Sequence, residues 1–280
     1  MSSYRTIKPS VKPKYTLFVP WTRVEYADKM LNNINSLFLP REDMEVIFYI
    51  DTDNKELFKR LNDWCILNQF VYNGMKMIVS GNAAPPDYTG TPASQSNIIP
   101  RRARIVSMKE DSKQYIEASE LVFGLEDDTF IPFNAFEKLL DDLNSADNIG
   151  FAMGVQQGRW NLPVIGAWRV DNIDDIKEMR TLPFEHESDV VDIDGGGYFC
   201  YLTPASLYKA HKYHWYDECF GPDATYGLEL RKKGLRCLMD FRLICEHYTE
   251  QGILLPTPQN TVVATWRKSG ERWIKEVSEK

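Results

Sequence analysis

LVFGLEDD, residues 121–128, is a run of strand-forming apolar residues that stops at three consecutive acids. A short apolar run bounded in this way reads as a buried strand. The same arrangement occurs upstream, where EVIFYI (45–50) runs into Asp51-Thr52-Asp53-Asn54. YTLFVPW (15–21) and MKMIVS (75–80) are two more apolar runs, and a further strand is expected over about 149–155. Helical patterns fill the gaps. Thr22 and Glu25 form a T-x-x-E capping box ahead of Ala27, Leu31, Ile34 and Leu37. Helices are also expected from Lys55 to about Asn68, over about 101–118 and over about 133–144. Strand alternating with helix predicts a Rossmann-like, mostly parallel, doubly wound α/β sheet. Ligands of such sheets bind beyond the carboxyl ends of the strands. Two of those ends are acidic here, and Asp51 is expected one strand over from the Glu126-Asp127-Asp128 cluster.

Residues 1–14 read as a basic lead-in. Residues 81–100, GNAAPPDYTGTPASQSNIIP, form a long loop rich in Gly, Pro, Ser and Asn. Past residue 155 the pattern loosens, with one possible strand around Val164–Val170 and a smaller second sheet expected. Asp194-Gly195-Gly196-Gly197 precedes the apolar YFCYL, and a short helix is expected over 204–211. GPDATYGLELRKKG (221–234) reads as a loop feeding a helix that Gly234 stops. LRCLMDFRLICEH (235–247) contains two short strands, and the tail TWRKSGERWIKEV is expected to end in a helix. The organisation is therefore a lead-in (1–14), a main domain (15–248, halves 15–155 and 156–248) and a tail (249–280).

Hydrophobic residues are 43% and charged residues 26% of the 280, which suits a soluble globular chain and excludes a disordered one. A net charge of −7 argues against a broad phosphate-binding face and leaves room for a local basic groove. The five cysteines, Cys65, Cys200, Cys219, Cys237 and Cys245, form no C-x-x-C pair, which argues against a zinc site or a disulfide framework. Scattered thiols, no apolar leader in MSSYRTIKPSVKPKY and no bilayer-length apolar run together predict a cytoplasmic location.

Each candidate for chemistry has a plain alternative. Glu126-Asp127-Asp128 at a strand end can hold a divalent cation against a diphosphate, or be a solvated turn. His247 beside carboxylates suits manganese better than magnesium, or is structural. Asp223, in G-P-D at the mouth of a helix, can be a general base or the helix N-cap. Gly195–Gly197 permits close backbone approach to a ligand, or a tight turn. Arg101, Arg102 and Arg104 can face a phosphate or base, or solvent.

The order and spacing of these segments resemble the family-2-like GT-A glycosyltransferases from Tyr15 to about Tyr248. RRARIVSMKEDSKQYIEASELVFGLEDDTFIP carries the basic helix and metal motif, and DIDGGGYFCYLTPASLYKA is similar to the acceptor-side segment. YDECFGPDATYGLELRKKGLRCLMDFRLICEH is similar to the acidic loop, L-x-L-R-x-x-G helix, two strands and terminal His. It departs from the family at Pro222, usually Glu, and at Thr225, usually Asp.

The resemblance implies a nucleotide-sugar donor, with UDP the expected nucleotide, and an inverting displacement. It implies that Asp51, Asp53, Arg101, Arg104, Glu126, Asp127, Gly196 and Gly197 serve the donor. It implies that Asp128 and His247 serve a divalent metal, Mn2+ before Mg2+, and that Asp223 is the base. Trp266, Arg267 and Lys268 are further candidates to close over the diphosphate. The acceptor is open: a glycan, lipid-linked sugar, protein, small molecule or modified nucleic-acid base. A nucleotidyltransferase would carry a glycine-rich loop after the first strand, where PWTRVEY has no glycine. A catalytically silent sugar- or nucleotide-binding protein is the other alternative, supported by the departures at Pro222 and Thr225.

Overall fold

The computed structural model describes residues 4–7, 12–80, 95–158, 162–214, 221–250, 252–270 and 272–278. Up to residue 155 the strands are β1 (Tyr4–Ile7), β2 (Tyr15–Trp21), β3 (Met44–Ile50), β4 (Gly74–Val79), β5 (Leu121–Leu125), β6 (Thr129–Phe130) and β7 (Ile149–Val155). The helices among them are α1 (Ala27–Ser36), α2 (Lys55–Asn68), α3 (Gln95–Ser112) and α4 (Ala135–Asn144). Beyond lie β8 (Ala167–Val170), β9 (Glu178–Thr181), β10 (Val190–Ile193), β11 (Gly195–Gly196), β12 (Cys200–Pro204), α5 (Ala205–Ala210) and α6 (Pro222–Lys232). The chain continues through β13 (Arg236–Ile244), β14 (Glu246–Thr249), β15 (Gly252–Leu254), β16 (Val263–Ser269) and β17 (Arg272–Ser278).

Nine strands form one mixed sheet in the order β1-β4-β3-β2-β5-β12-β7-β13-β10. Six of them, β4, β3, β2, β5, β7 and β13, run the same way, and β1, β12 and β10 run against them. Every residue of β3 and β7 is buried, as expected of strands covered on both faces. The core runs through Phe18, Phe48, Phe123, Phe151, Tyr201 and Tyr208. A five-stranded sheet, β11-β8-β9-β16-β17, and a three-stranded sheet, β15-β14-β6, complete the fold.

The expected strands over 15–21, 45–50, 75–80, 121–125 and 149–155 are present, and α2 spans Lys55–Asn68 with the Asn54 side chain capping Glu56 and Leu57. Gly234, at φ 77°, ends α6 in a Schellman arrangement, with Gly234 N–H on Arg231 O and Leu235 N–H on Leu230 O.

Elsewhere tertiary contacts override local pattern. The Thr22/Glu25 capping box is not formed: α1 starts at Ala27 after Tyr26, and Thr22 bonds Asp127 instead. The basic helix runs from 95 to 112, with a 3-10 turn at Lys113–Tyr115, rather than from 101 to 118. Of the two strands expected in 235–247, β13 is long, with a register shift against β7 between Met239 and Ile244, and β14 begins at Glu246. The tail is a β-hairpin, not a helix. Gly270, at φ 62°, supplies the turn, and Trp266, on the strand facing Met179, packs on the Met179–Ala224–Leu228 cluster. The two expected halves of the main domain share one sheet, because β12 lies between β5 and β7.

Candidate functional site

The acids after β5 and the histidine after β13 meet through the small sheet. β14 pairs antiparallel with β6, which sets His247 opposite Thr129, next in sequence to Asp128. Tyr248 N–H closes the pairing on the Asp128 carbonyl at 2.9 Å. His247 Nε2 then lies 3.5 Å from Asp128 Oδ2, and both side chains are buried. The other ring nitrogen, Nδ1, lies 2.9 Å from the Gln157 carbonyl. A carbonyl only accepts, so Nδ1 carries the hydrogen, and Nε2 is the ring atom that faces Asp128.

Arg23 is the residue that sequence reading passed over. Its Nη1 donates to Asp127 Oδ1 and to Asp128 Oδ2, each at 2.8 Å. Asp127 Oδ2 also accepts from the backbone N–H groups of Thr22 and Arg23 at 2.7 and 2.9 Å. The Asp127 carboxylate is thus held by the loop between β2 and α1. The available signal was position, since Arg23 follows a strand on the edge where ligands of such sheets bind.

Asp51 is buried and paired with Arg104, whose Nε bonds Asp51 Oδ2 and whose Nη2 bonds the Asp51 carbonyl. It stands two strands from the acidic cluster rather than one, because β2 lies between β3 and β5. Asp53 is exposed. The side chain of Arg101 lies outside the described residues.

Asp223 is not the N-cap. Gly221 holds that position and Asp223 sits in the first turn of α6. Its own N–H and that of Ala224 bond its carboxylate, and Arg102 stands nearby, all favouring the charged form. Burial outweighs them and, with the Glu126 charge, leaves the Asp223 pKa raised. Glu126 is half-buried, with its N–H on the Phe199 carbonyl at 3.0 Å.

The glycines are explained by packing. A Cβ on Gly196 would overlap the Met153 sulfur, and one on Gly227 would meet Gly195 Cα at 2.5 Å, so α6 seats directly on β11. A Cβ on Gly197 would meet Phe199 Cδ1 at 2.8 Å. Arg267 is engaged with Glu178 and Glu276 on the hairpin surface.

No family model and no curated protein matches the chain by sequence. Among solved structures, it is similar to the mannosyltransferase PcManGT from Pyrobaculum calidifontis in complex with GDP-Man and Mn2+. That match has a TM-score of 0.50 and 11% identity over 82% of this chain and 55% of the other. It is also similar to GalNAc-T7 with UDP, GalNAc and Mn2+, at a TM-score of 0.57 and 9% identity over 85% of this chain and 44% of the other. The fold is that of the GT-A glycosyltransferases. The chain spans about half the length of these two GT-A proteins.

Within this GT-A fold the residues fit a divalent cation in a specific way. A carboxylate oxygen and an imidazole lone pair 3.5 Å apart suit two ligands of one ion. The Gln157 carbonyl behind His247 is the usual second partner of a ligating imidazole. Among the described residues no group of three His, Cys, Asp or Glu side chains could hold a metal. No helix among the described residues is long and apolar enough to cross a membrane.

Proposed function

We propose that this protein transfers a glycosyl group from a nucleotide-sugar, with UDP the expected nucleotide, to an acceptor hydroxyl with inversion. The observation that carries the reading is the approach of His247 to Asp128 at the acidic strand end of a GT-A fold. A cation held there, manganese before magnesium because one ligand is an imidazole, would neutralise the charge developing on the departing diphosphate.

The protein's own residues do the rest. Arg23 fixes the Asp128 carboxylate. Asp51 and Arg104 hold each other at the end of β3, and the carboxylate would accept from a base or ribose donor group. Asp223 takes the acceptor proton as the acceptor oxygen bonds to the anomeric carbon and the bond to the diphosphate oxygen breaks. A carboxylate whose pKa is raised by burial is a stronger base than one in water.

A screen of nucleotide-sugars with manganese, reading released nucleotide, tests this directly. One donor should be hydrolysed, and Asp128→Ala should abolish both that release and manganese-dependent nucleotide binding. Release from no donor, with nucleotide still bound, would establish the silent binding protein instead.

A further inference from the structure

Lys109, on α3, is 2% exposed. Its Nζ donates to Tyr201 Oη at 2.8 Å. The same atom lies 4.2 Å from the ring centre of Tyr198, 4.9 Å from that of Tyr201, 5.1 Å from Phe18 and 5.5 Å from Tyr208. Burial pulls its pKa down to about 7, against the opposing pull of the Glu126 and Asp223 charges.

Stability does not account for a lysine here. Desolvating an ammonium costs several kcal/mol, and apolar side chains of similar volume often replace buried charges at no loss of stability. A methionine would fill the same cage.

The cage is connected to the site at two points. The Tyr198 hydroxyl donates to the Pro222 carbonyl at 2.8 Å, one residue before Asp223 at the start of α6. Tyr201 lies opposite Gly124 on β5, and a Cβ at Gly124 would overlap its ring, so the ring lies directly across β5 just before Glu126. One ammonium therefore grips two tyrosines, of which one holds the helix start carrying Asp223 and the other lies against the strand that ends in the acids.

We infer that Lys109 is a positioning residue of the transfer site, which sets the start of α6 that carries Asp223 through Tyr198 and the end of β5 before Glu126 through Tyr201. This rests on the glycosyl-transfer reading, and the test separates the two. The full chain is assayed with the donor that the hydrolysis screen identifies. In Lys109→Met, the melting temperature should stay equal or rise, and the affinity for nucleotide with manganese and the KM for donor should stay within about two-fold. Its kcat should fall at least about tenfold. Tyr198→Phe keeps the ring and removes only the bond to Pro222, and its kcat should fall several-fold with KM unchanged. Unchanged kcat in either variant overturns the inference. So does a fall in the melting temperature of Lys109→Met combined with normal kcat in Tyr198→Phe, which would make Lys109 a packing residue. A wild-type chain that releases nucleotide from no donor is a different outcome, the failure of the glycosyl-transfer reading itself.

Discussion

Asp223 offers the sharpest test at the residue scale. Since Gly221 caps α6, the helix does not need the Asp223 side chain as its N-cap. Asp223→Asn keeps shape and removes the basic oxygen. Transfer should fall by at least about two orders of magnitude, the usual size of general-base help, while binding of donor and manganese persists. Steady-state rates beside nucleotide titrations check this, and near-normal transfer would dismiss the base role. Asp51→Asn tests the donor side. It weakens the hold on Arg104 and should change the preference among UDP, GDP and CDP, read by competition binding. Asp128, His247 and Asp223 could be singled out in the sequence only through the order and spacing that resemble the family, because a carboxylate or an imidazole at an element end has plain structural uses of its own. Lys109 could not be, since a lysine on a basic helix reads as solvated until the rings around it are placed. Arg23 was hidden in the same way, by a capping pattern that pointed Thr22 and Glu25 at α1.

At the scale of elements, the strands that build the site were visible and their pairing was not. β6 has two residues, too short for any periodicity, yet its pairing with β14 brings His247 to Asp128. The tail misled because Trp266 and Ile274 fit a helical spacing as easily as a hairpin, and only Gly270 marked the turn. Gly124 is a glycine with an element-level purpose, since β5 must leave space for the Tyr201 ring of the neighbouring strand. Gly124→Ala should cost about 1–3 kcal/mol, the usual size of an overpacked core. It should also lower kcat by displacing Tyr201 from Lys109. Urea denaturation and steady-state rates together check both effects.

For the whole molecule, a second buried acid contributes to how stability varies with pH. Asp142 on α4 faces Asp240 on β13, and Arg242 bonds both carboxylates at 3.0 and 2.8 Å. Burial, reinforced by the Asp240 charge, raises the Asp142 pKa to about 7 despite Arg242. The folded state therefore binds a proton that the unfolded chain has released above about pH 4. That contribution is fully present at low pH and is lost as pH rises through about 7. Asp142→Asn should gain on the order of 1 kcal/mol or more relative to wild type at pH 8, and less at pH 5. Urea midpoints at the two pH values measure the difference. An equal effect at both would show that the carboxyl does not titrate in this range.

The placement of β12 between β5 and β7 has a consequence for how the protein is made. A chain leaves the ribosome N-terminus first, so β5 and β7 are both complete well before Cys200–Pro204 exists to join them. Through that interval each strand presents an open hydrogen-bonding edge lined by apolar side chains, the kind of surface that pairs with the wrong partner. The nascent chain is therefore exposed to misassembly while residues 156–199 are being added, and β12 closes β5 and one edge of β7, whose other edge waits for β13.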